Sequence, residues 1–132
     1  MNGEASDTEI NNYRNRLRYA HDQYWIYLDQ LQDSEPYFSY ELAQAMRDWK
    51  LRLLDAQLLS ADFLEIVNLL NAWKHRLSSW LAWNQVLTSF NNDDFAWEAR
   101  REFVEPLAYY CLYQRSSFRD ALTKFATIAV HI

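Results

Sequence analysis

The sequence predicts an all-α protein, an antiparallel bundle of about five helices, four long and a short one at the carboxyl terminus. The chain of 132 residues contains one glycine and two prolines, so it lacks the residues that tight turns and β-hairpins require. Apolar residues recur at spacings of three and four through long segments, which is the period of an amphipathic helix. We therefore expect more than about 65% helix and no sheet.

Composition limits the kinds of partner. The formal net charge of −5 gives no electrostatic footprint for nucleic acid or an anionic membrane. Cys111 is the only cysteine, which leaves no disulfide framework and no thiolate metal site, and we expect it to be buried. The start of the chain lacks the features of a secretory signal, and no apolar run is long enough to span a bilayer. We expect a soluble cytoplasmic protein without cofactor or metal, with a disordered leader at 1–5 and one domain at 6–132.

The first helix is predicted from Ser6 to about Gln32. Ser6 and Glu9 have the spacing of a capping box, in which each side chain satisfies a free backbone amide of the other residue. A continuous apolar stripe follows, formed by Ile10, Tyr13, Leu17, Ala20, Tyr24, Leu28 and Leu31.

The second helix is predicted to begin near Pro36 or Ser39 and to run to about Leu59. Pro36 ends the first helix because proline cannot continue the hydrogen-bond ladder. The predicted buried stripe of the second helix consists of Phe38, Leu42, Ala45, Trp49, Leu53 and Ala56.

The third helix, predicted over residues 60–90, is the element around which the others should pack. Ser60 has the position of an N-cap, and no glycine or proline interrupts the segment. Its stripe consists of Phe63, Ile66, Val67, Leu70, Trp73, Leu77, Trp80, Leu81 and Leu87. Because Trp83 and Val86 lie on other sides, this helix should have neighbours on more than one face.

The fourth helix is predicted to start at Phe95, after a loop at 91–94 that is rich in capping residues. Pro106 lies inside its pattern and should kink or briefly break the helix near Phe103. Ser117 and Asp120 have the spacing that caps a short final helix.

One chemical pattern lies on the first helix, where Arg14 and Asn15 are followed by His21. The pattern resembles the short motif of HEPN-type ribonucleases, in which an arginine, a polar neighbour and a histidine form the RNA-cleaving site. The resemblance implies a metal-independent ribonuclease with Arg14 and His21 as catalytic candidates. At seven residues apart the two side chains could face one phosphate, which the arginine would neutralise while the histidine moved a proton. The favoured interpretation is instead that Arg14 and Arg18 are solvated and that His21 lies at the edge of the core stripe.

The acidic residues on the fourth helix have two possible interpretations, a metal site or a solvated face. Glu102 and Glu105 resemble the first half of the ExxE and ExxD pattern with which MazG-like pyrophosphatases hold Mg²⁺, but no ExxD follows. A solvated acidic face is the favoured interpretation, and no metal ligands are predicted.

Tyr109, Tyr110 and Tyr113 are candidate binding residues. They either line an apolar cavity near Pro106, with hydroxyl groups that orient a small molecule, or fill the space between long helices.

Several apolar residues lie outside the predicted stripes. They are Tyr19, Ile26, Leu51, Leu54, Leu58, Trp83, Val86, Trp97 and Val104. A single layer of helices hides one face of each, so these residues should form an exposed patch that a symmetric copy covers. The alternative is that kinks in the chain and the fifth helix cover them and leave a monomer. The sequence thus favours a binding module that acts through protein association, as a homodimer with Trp83 or Trp97 near its centre. A second protein partner stays open, and nucleic acid is expected only for the ribonuclease alternative.

Overall fold

The computed structural model describes residues 2–34, 37–90 and 93–132, with side chains from Asp7 onward. The described residues are 89% helical and contain no strand, which confirms the all-α class and the expected helix content. The side chain of Ser6, which the predicted cap requires, is not described, and the Pro36 stop and the capping role of residues 91 and 92 lie outside the described residues.

The helices are α1 (Asn2–Ser34), α2 (Glu41–Met46), α3 (Leu53–Thr88), α4 (Asp94–Ala99) and α5 (Glu105–His131). A π-helical turn at Arg100–Val104 joins α4 to α5 without a break. Because α4, the π-helical turn and α5 form one continuous helix, the described part of the chain contains four helices. The prediction of about five is wrong. The separate short helix at the end is not formed, because α5 continues through Ser117 and Asp120. The Asp120 carboxylate accepts a hydrogen bond from its neighbour Arg119 at 3.2 Å.

The prediction of a long second helix is also wrong. Its residues divide between α2, a turn at 47–52 and the first turns of α3. The cause is a buried contact, in which the Ser60 hydroxyl donates to the Ala43 carbonyl at 2.6 Å. In one continuous helix these two residues would lie about 25 Å apart, since each residue adds about 1.5 Å. The chain must therefore reverse between them, and Ser60 lies inside α3 instead of capping it.

The predicted disturbance near Phe103 takes the form of the π-helical turn. The Glu105 N–H donates to the Arg100 carbonyl, five residues back, and Pro106 follows with no N–H to donate. The helix thus accommodates the proline with a wider turn and not with a break.

Residue contacts divide the chain into two compact units, residues 1–35 with 78–108 and residues 36–77 with 109–132. In the first unit, α1 runs antiparallel to the end of α3. The Tyr19 ring lies 6.2 Å from Phe90, and five residues further along α1 the Tyr24 ring stacks on Trp83 at 4.7 Å. The buried residues of this core are Ala20, Trp83, Val86, Leu87, Phe95 and Ala99.

The start of α4 is fixed against α1. The Asp93 carboxylate accepts from the Ala96 N–H at 3.0 Å, which confirms the predicted cap at this position, and from Arg16 at 2.7 Å. The hydrogen bond from Ala96, followed by the one from Arg16, lowers the pKa of Asp93. Next to this cap, the Tyr13 and Phe95 rings meet edge to face at 5.4 Å. A helix start and an interhelical ion pair thus share one carboxylate.

In the second unit, the first part of α3 runs antiparallel to α5. Lys124 pairs with Asp62 at 2.9 Å, while Trp73 and Phe118 lie 6.2 Å apart between ring centroids. These pairs progress in opposite directions along the two helices. Helix α5 thus runs back alongside the first part of α3 in the opposite direction.

The segment before α2 is held to α3 by asparagine side chains. The Asn71 amide accepts from the Phe38 N–H at 2.8 Å and donates to the Phe38 carbonyl at 3.1 Å. The Tyr40 hydroxyl donates to Asn68 at 2.9 Å. These bonds give the backbone at Phe38 the partners that a helix would otherwise supply.

Over the described residues, no helix is both long enough and apolar enough to cross a membrane. The leader predicted for 1–5 and the single domain predicted for 6–132 stay predictions.

Candidate functional site

Trp83, a predicted interface anchor, lies in the core of the first unit and is only 4% exposed. Its indole ring stacks nearly parallel on Phe103, with centroids 4.5 Å apart and planes at 7°. Tyr24 stacks on it as well, at 4.7 Å and 17°. Because Trp83 is packed by its own chain, the anchor of an association surface has to be sought elsewhere.

His21, a predicted catalytic residue, is half-buried beside this stack. Its imidazole makes edge contacts with Trp83 at 5.2 Å and with Phe103 at 5.3 Å between ring centroids. Arg14, its predicted catalytic partner, is exposed on α1. His21 thus takes part in aromatic packing, as the interpretation of His21 as a residue at the edge of the core stripe predicts.

Trp97, the second predicted anchor, is 59% exposed on α4. The Arg101 guanidinium lies over its ring at 5.6 Å, a cation–π contact that covers part of the indole. Nearby, burial raises the pKa of Tyr13, and the charges of Glu98 and Glu102 raise it further. The two glutamates are thus close enough to α1 for their charges to affect the pKa of a tyrosine there.

The three candidate tyrosines have different surroundings. Tyr109 and Tyr113 are 61% and 75% exposed, and Leu112 between them is 70% exposed. We call these three residues the α5 patch. Tyr110 instead lies under the Arg76 guanidinium, at 5.0 Å. The structure therefore separates Tyr110, which packs on α3, from two tyrosines that extend into solvent.

A groove of about 670 Å³ lies along α5 in the second unit, and sequence reasoning missed it. We call it the Trp73 groove; its lining includes Trp73, Leu112, Arg115, Phe118, Arg119 and Leu122. The signal in the sequence was a row of residues on α5 at spacings of three and four, running from Leu112 to Leu122. The spacing of Ser117 and Asp120 predicts the start of a separate helix within this row, whereas the structure has one continuous helix there.

The acidic residues near the start of the predicted third helix form an ion pair. Lys124 Nζ lies 2.9 Å from Asp62 Oδ1 and 3.7 Å from Glu65 Oε2. The hydrogen bond with Asp62 raises the pKa of Lys124. Within the described ranges, no three His, Cys, Asp or Glu side chains group as a metal site would require. Cys111 is buried, as predicted, and burial raises the pKa of its thiol.

Comparison of the chain with protein-family models, curated proteins and solved structures gave no match. Any functional interpretation therefore depends on the surfaces described above.

Proposed function

We propose that this chain is a helical-bundle module that acts through protein–protein association, first with a second copy of itself. The observation that carries the proposal is the α5 patch, where three adjacent large side chains are each more than 60% exposed. A bundle arrangement of the helices, a cytoplasmic location and the absence of a cofactor are parts of the same proposal.

The patch has the composition of an interface. Tyr109, Leu112 and Tyr113 are spaced by three and four residues, so they share one face of α5. Single exposed apolar residues are common on protein surfaces, whereas contiguous ones indicate interaction sites. Tyrosine is enriched among the residues that contribute most to binding, because a rigid ring buries a large area and its hydroxyl stays paired.

Burial of the α5 patch favours association. Burying about 150 Å² at Tyr113 favours association by roughly 3–4 kcal/mol per copy at about 25 cal/mol per Å². In a symmetric dimer each residue contributes twice, and the sum has to exceed the loss of translational and rotational freedom. A symmetric copy is the first candidate because such interfaces are the commonest in oligomers.

Trp97 is the second candidate anchor, as expected from the sequence. It is exposed, but Arg101 already covers part of its ring. We therefore assign the main contribution to the α5 patch.

The test compares two tyrosines of the same helix by light scattering after size-exclusion chromatography. Tyr113→Ala removes an exposed ring and favours the helix, so the fold should be retained. We expect it to weaken dimerisation about a thousandfold, since about 2 kcal/mol is lost in each copy, or about 4 kcal/mol per dimer. Tyr110→Ala is the matched control because its ring contacts Arg76 within the chain.

The expected result is a dimer for the wild type and Tyr110→Ala and a monomer for Tyr113→Ala. A dimer that Tyr113→Ala leaves intact but Trp97→Ala dissociates would move the interface to α4 and contradict our assignment. A wild-type monomer that binds a different protein through the patch would replace the copy with a second partner.

A further inference from the structure

The Trp73 groove has the size of a small-molecule site. Its volume of about 670 Å³ falls within the range of about 300–1,000 Å³ that is usual for ligand pockets. From Leu112 to Leu122 it follows α5 for about 15 Å, given about 1.5 Å per helical residue. Its length and its apolar rings suit an extended hydrocarbon chain.

One side of the groove carries positive charge that the chain does not neutralise. In the part of the chain that the structure describes, the Arg115 side chain makes no ion pair, and the adjacent Ser116 hydroxyl makes no hydrogen bond. Arg119, one turn further along, is already paired with Asp120 at 3.1 Å. A carboxylate at Arg115 would accept from both the guanidinium and the Ser116 hydroxyl.

Two buried donors in the same unit also have no acceptor. Trp73 Nε1, in a wall of the groove, and Gln114 Nε2, next to Arg115 in sequence, have no hydrogen-bond partner. Gln114 is only 7% exposed, so bulk water does not satisfy its amide. Buried donors without partners are unusual, and of these two residues Trp73 lines the groove.

From these observations we propose that the Trp73 groove binds an amphipathic carboxylate, such as a medium-chain fatty acid. Its carboxylate lies at Arg115 and Ser116, and its hydrocarbon chain packs along Trp73, Phe118 and Leu122. The apolar lining provides affinity, and the guanidinium selects a negative head group.

The test is isothermal titration calorimetry on the full chain with decanoate, below its micelle concentration. Decyltrimethylammonium has an alkyl chain that is one carbon longer and carries the opposite charge. We expect decanoate to bind at one site per chain and the ammonium compound to bind at least about tenfold more weakly. Equal binding of the two compounds, or no binding of decanoate up to about 1 mM, would overturn the proposal.

Two arginine variants locate the head group. Arg115→Gln should weaken decanoate binding about tenfold, because one charge-assisted hydrogen bond is lost. Arg18→Gln, at an exposed position on α1, should leave binding unchanged. Equal loss in both variants would indicate non-specific binding and contradict the site. Leu112 belongs to both the groove and the α5 patch, whereas Arg115 belongs to the groove alone, so sedimentation of Arg115→Gln without ligand tests association separately from this result.

Discussion

Ser60 allows a sharp test of why α2 is short. Its hydroxyl is buried, with the residue 3% exposed, and donates to the Ala43 carbonyl at 2.6 Å. In Ser60→Ala the carbonyl loses its donor inside the protein, which should lower the free energy of unfolding by about 1–3 kcal/mol. An N-cap at this position would give a similar loss with alanine, so this variant alone does not distinguish the two roles.

Ser60→Asp does distinguish them. Aspartate caps helices as well as serine does, so an N-cap role predicts no loss of stability. In the observed fold a carboxylate has no proton to donate to the Ala43 carbonyl and would be buried against it. We therefore expect a loss of about 3 kcal/mol or more, with the nearby Arg47 offsetting part of it.

The assay is urea denaturation followed by circular dichroism. Ser117→Asp, at an exposed position on α5, is the control and should change the free energy of unfolding by less than about 0.5 kcal/mol. If Ser60→Asp were as stable as the wild type, the result would indicate that Ser60 caps a helix. It would contradict a reversal of the chain at residues 47–52.

Two further predictions concern the first unit. The pKa of Asp93 is lowered in the folded state, so its stabilisation is present above the unfolded value of about 3.9 and is lost as pH falls through the folded value. Asp93→Asn keeps a capping oxygen without the charge, so melting curves between about pH 2 and 6 should show a smaller loss in acid than the wild type; equal losses would argue against this role. His21→Ala removes two aromatic edge contacts and should cost about 1–2 kcal/mol in chemical denaturation. We expect neither His21→Ala nor the wild type to cut single-stranded RNA in the presence of a chelator, and cleavage by the wild type alone would support the ribonuclease alternative.

The sequence predicted the helices better than their ends. Helix content followed from composition, and the Asp93 cap from local chemistry, because both depend on neighbours in the chain. The end of α2 depends on Ser60 and the position of Phe38 on Asn71, which are contacts between distant residues. The spacing of apolar residues contains no information about such pairs. The predicted stripe of the second helix therefore continues through Trp49, although residues 47–52 form a turn in the structure.

The surroundings of the candidate site residues also depend on contacts that spacing alone does not reveal. Spacing placed Trp83 outside the main stripe of its helix, but a ring with neighbours on both faces becomes buried whatever its angle on the helix. Tyr109, Tyr110 and Tyr113 were grouped by sequence, whereas a helix turns about 100° per residue and separates adjacent side chains. Arg76 then distinguishes Tyr110 from the two exposed tyrosines.

Sedimentation equilibrium of the wild-type chain measures whether the protein self-associates. The chain mass is 15.9 kDa. At a chain concentration of about 10 μM, burial of the α5 patch predicts a mass of about twice the chain mass, falling toward the chain mass on dilution. A mass of 15.9 kDa at every concentration would contradict self-association.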